Sequence, residues 1–193
     1  MRTDPTPLIA AFRHRDAREG FEVVSVTISR TGVRAHGQTA ATEDGQAWSV
    51  PYVITLDEAW HTRHAQVWSL SATGERNVIV EIDGAGRWRV NGHLRPDLDG
   101  CLDVDLESSA WTNMIPVRRM ALGVREAAEA PAVYVRVIDL TVERLEQTYR
   151  RLPSDDGLQR YDYRAPVFDF ESRLVYDEAG LLLDYPGIAS RAY

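Results

Sequence analysis

From Phe21 onward the chain is a succession of short stretches in which apolar and polar residues alternate, the period of a strand with one buried and one wet face. Phe21–Ile28 is rich in β-branched residues and lies between Gly20 and Thr31-Gly32, and Val33–Thr42 reads as a second, more polar strand. Glu43-Asp44-Gly45 closes a turn. Gln46–Thr55 then places Trp48, Val50, Tyr52 and Ile54 on one pleated face. Pro51 falls on the opposite phase and lacks an N–H, which predicts an edge strand or a bulge. Asp57-Glu58-Ala59-Trp60-His61 reads as a short turn capped by the Asp57 carboxylate. Ala65–Ser71 and Asn77–Asp83 follow as strands. Arg87–Val90 lies between the Asp83–Gly86 turn and Asn91-Gly92, a strong hairpin signal. With Cys101–Leu106 added after Asp99-Gly100, residues 77–106 read as an antiparallel meander.

Glu107–Met120 is the best candidate for a helix, with Ser108 or Ser109 as N-cap and Pro116 ending or kinking it near Ile115. Ala132–Leu140 alternates as a strand. Val142–Leu152 is ambiguous, because Leu145, Tyr149 and Leu152 have helical spacing while strands surround them. Gln159–Arg164, Val167–Tyr176 and Leu181–Tyr185 read as the last strands, with Phe168, Phe170, Leu174 and Tyr176 on one phase. Residues 1–20 read as irregular, and no linker or repeat interrupts the rest, so a single domain over residues 1–193 is expected. Roughly a dozen short strands with one candidate helix predict a mainly β protein, one large antiparallel sheet curled as a barrel, sandwich or roll.

Composition narrows the chemistry. The chain has 193 residues, long enough for a sizeable core, and a net charge of -7, which argues against a nucleic-acid partner. All 22 basic residues are Arg. Without Lys, a P-loop lysine and any Schiff base are excluded. A single Cys leaves no disulfide framework or Cys-rich zinc site. No apolar run approaches the roughly 18 residues of a membrane span, and Met1–Pro7 lacks the apolar core of a signal peptide, so a cytoplasmic protein is expected.

Few motifs carry chemistry. Read as a strand, Cys101–Leu106 puts Leu102, Val104 and Leu106 on one face and Cys101, Asp103 and Asp105 on the other. Two carboxylates on one face can bind a metal, share a proton, act as acid and base, or pair with Arg. Arg118, Arg119, Arg87 and Arg89 are the available cations, and a structural ion-pair net is the plainer reading. The segment lacks the spacing of a calcium loop, and His61 and His64 need a third ligand to hold a metal, so no metal is expected. Cys101 sits among acidic residues, which disfavour a thiolate. Gly84-Ala85-Gly86 runs into a strand and lacks the rest of a nucleotide fingerprint, so no cofactor is implied. Five Trp and eight Tyr against four Phe favour walls that are apolar with a polar tip, although core packing explains most such rings.

Several segments resemble a known family. Tyr52–Arg63, the Trp88 strand, Leu102-Asp103-Val104-Asp105-Leu106, Thr112-Asn113-Met114-Ile115-Pro116-Val117-Arg118-Arg119, Gln147–Arg151, Tyr161-Asp162-Tyr163 and the tail from Val175 to Gly187 are similar to stretches of a glycolipid-binding family of bacterial proteins, long described as a domain of unknown function. The likeness runs from about Phe21 to the C-terminus. Its most specific part is the Asp-x-Asp-Leu and Thr-Asn-x-x-Pro-x-Arg-Arg combination. Met114-Ile115 replaces a more usual Thr-Leu, and Ser108–Trp111 replaces a Thr-Pro pair. The resemblance implies a spiral β-roll, a long antiparallel sheet wound around one central helix. It also implies a homodimer, a loose likeness to lipoprotein carriers, and a glycolipid-like small-molecule ligand, and it supplies no catalytic mechanism.

Three functions follow as expectations. In the first, the protein binds an amphiphile: Trp60, Trp88 and Tyr149 supply apolar walls, Arg63, Arg118 and Arg119 hold the head, and Asn113 orients it. Asp103, Asp105 and Gln147 complete that candidate set. In the second, it is a hydrolase or isomerase on a sugar or lipid, with Asp103 and Asp105 as acid and base, which requires a pocket beside them. In the third, a sheet edge or exposed aromatics make a homodimer.

Overall fold

A computed structural model describes residues 7–193; the first six residues, including Pro5, fall outside it. Strands dominate. In chain order they are β1 (Leu8–His14), β2 (Glu19–Ser29), β3 (Gly32–Glu43), β4 (Gln46–Leu56), β5 (Thr62–Ser71), β6 (Gly74–Ile82), β7 (Trp88–Val90), β8 (His93–Leu94), β9 (Asp103–Leu106), β10 (Ala127–Glu129), β11 (Ala132–Val135), β12 (Val142–Leu145), β13 (Thr148–Leu152), β14 (Gln159–Ala165), β15 (Phe170–Tyr176), β16 (Leu182–Tyr185) and β17 (Ala189–Arg191). One α-helix, α1 (Met114–Met120), follows a 3-10 turn at Trp111–Asn113.

Fourteen strands form one antiparallel sheet in the order β10-β13-β14-β15-β16-β17-β1-β2-β3-β4-β5-β6-β7-β8. Two meanders, β1 to β8 and β13 to β17, are joined where β17 pairs with β1. The sheet does not close, and its edges are the short strands β10 and β8, which limits the unpaired backbone it presents. Alternation decides which face is inside: Trp48, Val50, Tyr52, Ile54 and Leu56 of β4 are buried, as are Ala65, Val67 and Ser69 of β5. That buried face curls around residues 108–117, so the antiparallel sheet curled about one central helix is the fold observed.

The central segment is fixed from several sides. Thr39 of β3 donates its hydroxyl to the Ser108 carbonyl at 2.7 Å. Glu22 of β2, fully buried, accepts the Tyr52 hydroxyl at 2.6 Å, the Ser109 hydroxyl, and the Ala110 N–H at 2.8 Å. Tyr176 of β15 donates to the Asn113 carbonyl at 3.1 Å. Tyr52 reaches Glu22 by lying across Gly37, its partner on β3, where any Cβ would sit 2.1 Å from the ring. A side chain at that position displaces the tyrosine.

The structure corrects several expectations. The N-terminal stretch is not irregular throughout: residues 8–14 form β1, an interior strand of the large sheet. Pro51 lies on neither an edge nor a bulge. It pairs with Gln38 on one side, and on the other the β4–β5 register skips Val50 and Pro51, so the missing N–H is absorbed as a gap in one ladder. Residues 107–110 are not helical, because their donors are taken elsewhere: Glu107 N–H by the Val135 carbonyl and Ala110 N–H by Glu22. The helix is therefore only seven residues, about 10 Å long. Pro116 does not end it; it is the third helical residue, in the first turn, where an N–H would have no intrahelical acceptor and its lack costs nothing. Residues 77–106 are not one meander. The β6, β7 and β8 strands are antiparallel neighbours, but β9 leaves for a second, three-stranded sheet in the order β12-β11-β9, where it runs parallel to β11. Val142–Leu152 is two strands, not helix, and β12 and β13 belong to different sheets.

Candidate functional site

Strand β9 is Asp-Val-Asp-Leu, and all four residues are buried. Apolar burial explains Val104 and Leu106. Two buried carboxylates need partners, since an unpaired charge removed from water is costly. Asp103 has the stronger partner: Arg119 at the end of α1 donates Nε to Oδ1 at 2.8 Å and Nη2 to Oδ2 at 2.7 Å. Burial pushes this carboxyl upward and the guanidinium pulls it back, and two short bonds of this kind are the geometry of an ionised pair.

Among the described residues no cation pairs with Asp105. The Thr112 hydroxyl donates to its Oδ1 at 2.8 Å. Burial pushes its carboxyl up to about 6, and the nearby charges of Asp103 and Glu107 act in the same direction. Tyr134 sits opposite it in the parallel β9–β11 register.

Asp105 opens onto a cavity of about 240 Å³ between the small sheet, the central segment and the β14–β17 end of the roll. Its aromatic wall is Tyr134, Tyr163, Tyr185, Phe168 and Phe170. Tyr163, Phe170 and Tyr185 have ring centroids 6.0 to 6.2 Å apart in tilted and edge-on contact. The polar lining is Arg18, Asp105, Glu107, Ser109, Asn113 and Arg136. Arg136 stacks over Tyr134 and Phe168, 5.2 Å from each centroid, and its edge meets Glu143 at 2.7 Å. Arg18 lies over Trp48 at 5.1 Å and gives Nη1 to the Glu107 carbonyl at 3.1 Å, while its buried Nε–H has no partner among the described residues. Rings with guanidinium, carboxylate and amide groups between them can stack a sugar and hydrogen-bond its hydroxyls.

Of the ten residues singled out from the sequence, the structure brings Asp105 and Asn113 to this cavity. Tyr149 stands one bond behind, donating its hydroxyl to Asn113 Oδ1 at 2.9 Å, and Gln147 lies 3.5 Å beyond it. The others are placed elsewhere. Trp60 takes the Arg118 guanidinium on its face at 5.5 Å, and Gly180 is so close that a Cβ there would sit 3.0 Å from Arg118 Nε. Trp88 is buried and donates to the Cys101 carbonyl at 3.0 Å. Arg63 pairs at the surface with Asp57 at 2.6 Å, and Asp103 with Arg119 forms its own closed unit. Arg87 and Arg89 turn to Asp83 rather than to β9. The carboxylate pair is thus divided, one member locked and one facing the cavity.

Sequence reasoning missed the aromatic wall, Glu107 and both cavity arginines as site residues. The shared phase of Phe168 and Phe170 and the Tyr161-Asp162-Tyr163 segment were signals for part of it. Nothing local marks Arg18. Among the described residues no three His, Cys, Asp or Glu side chains gather to hold a metal, and no helix is long and apolar enough to cross a membrane. Burial pushes the Cys101 thiol up to about 11, away from a reactive thiolate.

None of the curated proteins matches the chain. A crystal structure of a DUF1089 family protein from Pseudomonas aeruginosa is 30% identical, with a TM-score of 0.71, covering 86% of this chain and 90% of that one. A protein from Brucella abortus described as β-barrel-like, of the domain of unknown function DUF1849, shares the fold with a TM-score of 0.51 at 10% identity, covering 98% and 96%. The model of the family described as "Putative glycolipid-binding" matches residues 11–191. The chain belongs to that family.

Proposed function

We propose that the protein binds a glycolipid-like amphiphile and seats its hydroxyl-bearing head in the cavity beside Asp105 and Asn113. The observation that carries this reading is the cavity itself: five aromatic rings face two guanidiniums, two carboxylates and an amide. Its volume, about 240 Å³, is below the range of about 300 to 1,000 Å³ usual for whole drug-sized ligands, so it suits a head and not an entire lipid. Phe168 of the wall is 40% exposed and its chain neighbour Val167 70%, an apolar surface that a tail can follow outward. The family description names glycolipids, which agrees with a ringed, polyhydroxyl head.

The residues away from the cavity act by holding it. Arg119 and Asp103 lock β9 to α1, Trp60 and Arg118 clamp the far end of the helix, and Tyr149 with Gln147 backs Asn113. An acid–base reading of Asp103 with Asp105 requires both carboxyls free, and Asp103 has both oxygens on Arg119. Native mass spectrometry of the purified protein, followed by solvent extraction, tests the proposal. Co-purification of an amphiphile, or binding of an added short-chain glycoside, supports it; an empty protein that binds no added amphiphile overturns it.

A further inference from the structure

We infer that the cavity selects an uncharged, hydroxylated head over an anionic one, and that Asp105 is the residue that sets this preference. The inference deepens the amphiphile-binding reading and rests on it.

The two cavity cations are already committed. Arg136 has Glu143 at 2.7 Å and Glu107 at 3.6 Å on its edge, and the adjoining Tyr134 and Phe168 rings each 5.2 Å away. Arg18 has Glu43 at 3.4 Å, the Glu107 carbonyl at 3.1 Å, and Trp48 on its face. Against these two guanidiniums stand Asp105 and Glu107 on the wall and Glu43 and Glu143 just behind it, so carboxylates outnumber cations. A phosphate, sulfate or carboxylate entering here meets more negative charge than positive, beside the buried Asp105 carboxylate. Like charges brought together in such a site reject a ligand by specificity rather than by shape.

The unmet hydrogen-bonding needs point the same way. Arg18 offers a buried Nε–H with no acceptor among the described residues. Asp105 receives one hydroxyl, on Oδ1, and its Oδ2 has no partner among the described residues. One wall therefore lacks an acceptor and another lacks a donor. Hydroxyls accept as well as donate, so a head carrying several of them can serve both kinds of group. A phosphate oxygen supplies only the first, and an ammonium only the second. A ring carrying several hydroxyls, stacked on Tyr163, Tyr185 or Phe170, meets the whole set.

Calorimetric titration of the full chain at pH 7.5 tests this, using n-octyl β-glucoside and n-octyl phosphate below their micelle concentrations. We expect the glucoside to bind at least tenfold more tightly. In Asp105→Asn the ratio should narrow by about tenfold, through gain of the phosphate. Glu107→Gln gives a second, smaller narrowing and keeps the test open if Asp105→Asn does not fold. If the phosphate binds the native protein as tightly as the glucoside, the selectivity is wrong while amphiphile binding stands. If the native ratio holds but Asp105→Asn leaves it unchanged, Asp105 is not the discriminating residue. If neither amphiphile binds, the binding reading falls together with this one.

Discussion

Asp103 and Asp105 leave the same face of one short strand, yet Asp103 meets Arg119 with both oxygens while Asp105, among the described residues, meets the Thr112 hydroxyl and a cavity. Around Asp103 the carboxylate is matched by a guanidinium, the Arg118 face by the Trp60 ring and the Trp88 N–H by a carbonyl, while the buried Arg118 Nε–H has no acceptor among the described residues. Around Asp105 the carboxylate itself is incompletely paired among the described residues, with one hydroxyl on Oδ1, beside a buried Arg18 Nε–H without an acceptor and rings stacked mainly on one another. Buried polar groups that are fully paired are the mark of a structural element. Groups left partly paired around an open volume are the mark of a place that something else completes. The two halves of one motif thus divide the work of holding the roll and facing a ligand.

The largest effect is expected at the matched half. Arg119→Met leaves Asp103 buried without its cation, and loss of one partner of such a pair costs about 3 to 5 kcal/mol. Urea unfolding at pH 7 measures it. Adding Asp103→Leu removes the stranded charge and should restore most of the loss. If Arg119→Met is as stable as the native chain, the pair is not the lock described here.

At the unmatched half the sign reverses. The Asp105 carboxyl sits near 6 in the folded protein against 3.8 as its ordinary value. An acid raised by folding binds more protons folded than unfolded, so the stability it contributes is complete below about pH 4 and is lost as pH rises through 6. The penalty at pH 7 is at most about 3 kcal/mol, two units of displacement at 1.36 kcal/mol each. The other titratable groups around it are Asp103 on β9, Glu107 just after that strand, and Tyr134, Tyr149, Tyr163, Tyr176 and Tyr185; the tyrosines are all pushed above their ordinary range by burial and stay neutral throughout. Asp105→Asn should therefore unfold at a higher urea concentration than the native chain at pH 7, and the advantage should vanish by pH 4. An advantage that is constant with pH would mean that Asp105 is not the titrating group.

Binding should divide along the same line. Phe168 stands half out of the cavity mouth, 5.5 Å from Tyr134 and against Arg136, so its loss removes wall without emptying the core. Phe168→Ala should weaken octyl glucoside binding about tenfold, or roughly 1.4 kcal/mol. Trp60→Ala, at the matched end, should lower the unfolding midpoint and leave the affinity within about twofold. Equal losses of affinity in both variants would erase the distinction between a holding half and a binding half.

What could be read in the sequence was what local spacing determines. The β7–β8 hairpin is legible because Asn91 and Gly92 both adopt the positive φ that a tight turn demands. The inward face of β4 is legible because the alternation of Trp48 to Ile54 admits only one burial. The pairing of β9 with β11 is not, since nothing near Asp103 states that residues almost thirty positions on will lie parallel to it. Leu145 and Tyr149 imitate a helix turn because two strands of different sheets abut at Glu146-Gln147. β1 was hidden by the charges that follow it, and with it went the register that brings Arg18 toward Trp48 and the cavity. For the candidate site, sequence supplied the two carboxylates and Asn113. Only the fold decided which carboxylate Arg119 would take.

The smallest expected effect probes the one contact Asp105 does make. Thr112 has a single hydroxyl hydrogen and two acceptors in reach, Asp105 Oδ1 at 2.8 Å and the Ser109 carbonyl at 3.0 Å. The same oxygen accepts the Leu106 N–H at 3.3 Å. Thr112→Val keeps the shape and removes these bonds, which should cost about 1 kcal/mol in unfolding experiments. The hydroxyl favours the ionised carboxylate, so its loss should also move the Asp105 titration upward from about 6, followed by the carbon-13 shift of its carboxyl. At Asp103 the titration should not move, because Arg119 and not Thr112 holds it. A downward movement at Asp105, or an equal movement at both residues, would show that the two carboxyls share one environment and that the contrast between them is absent in solution.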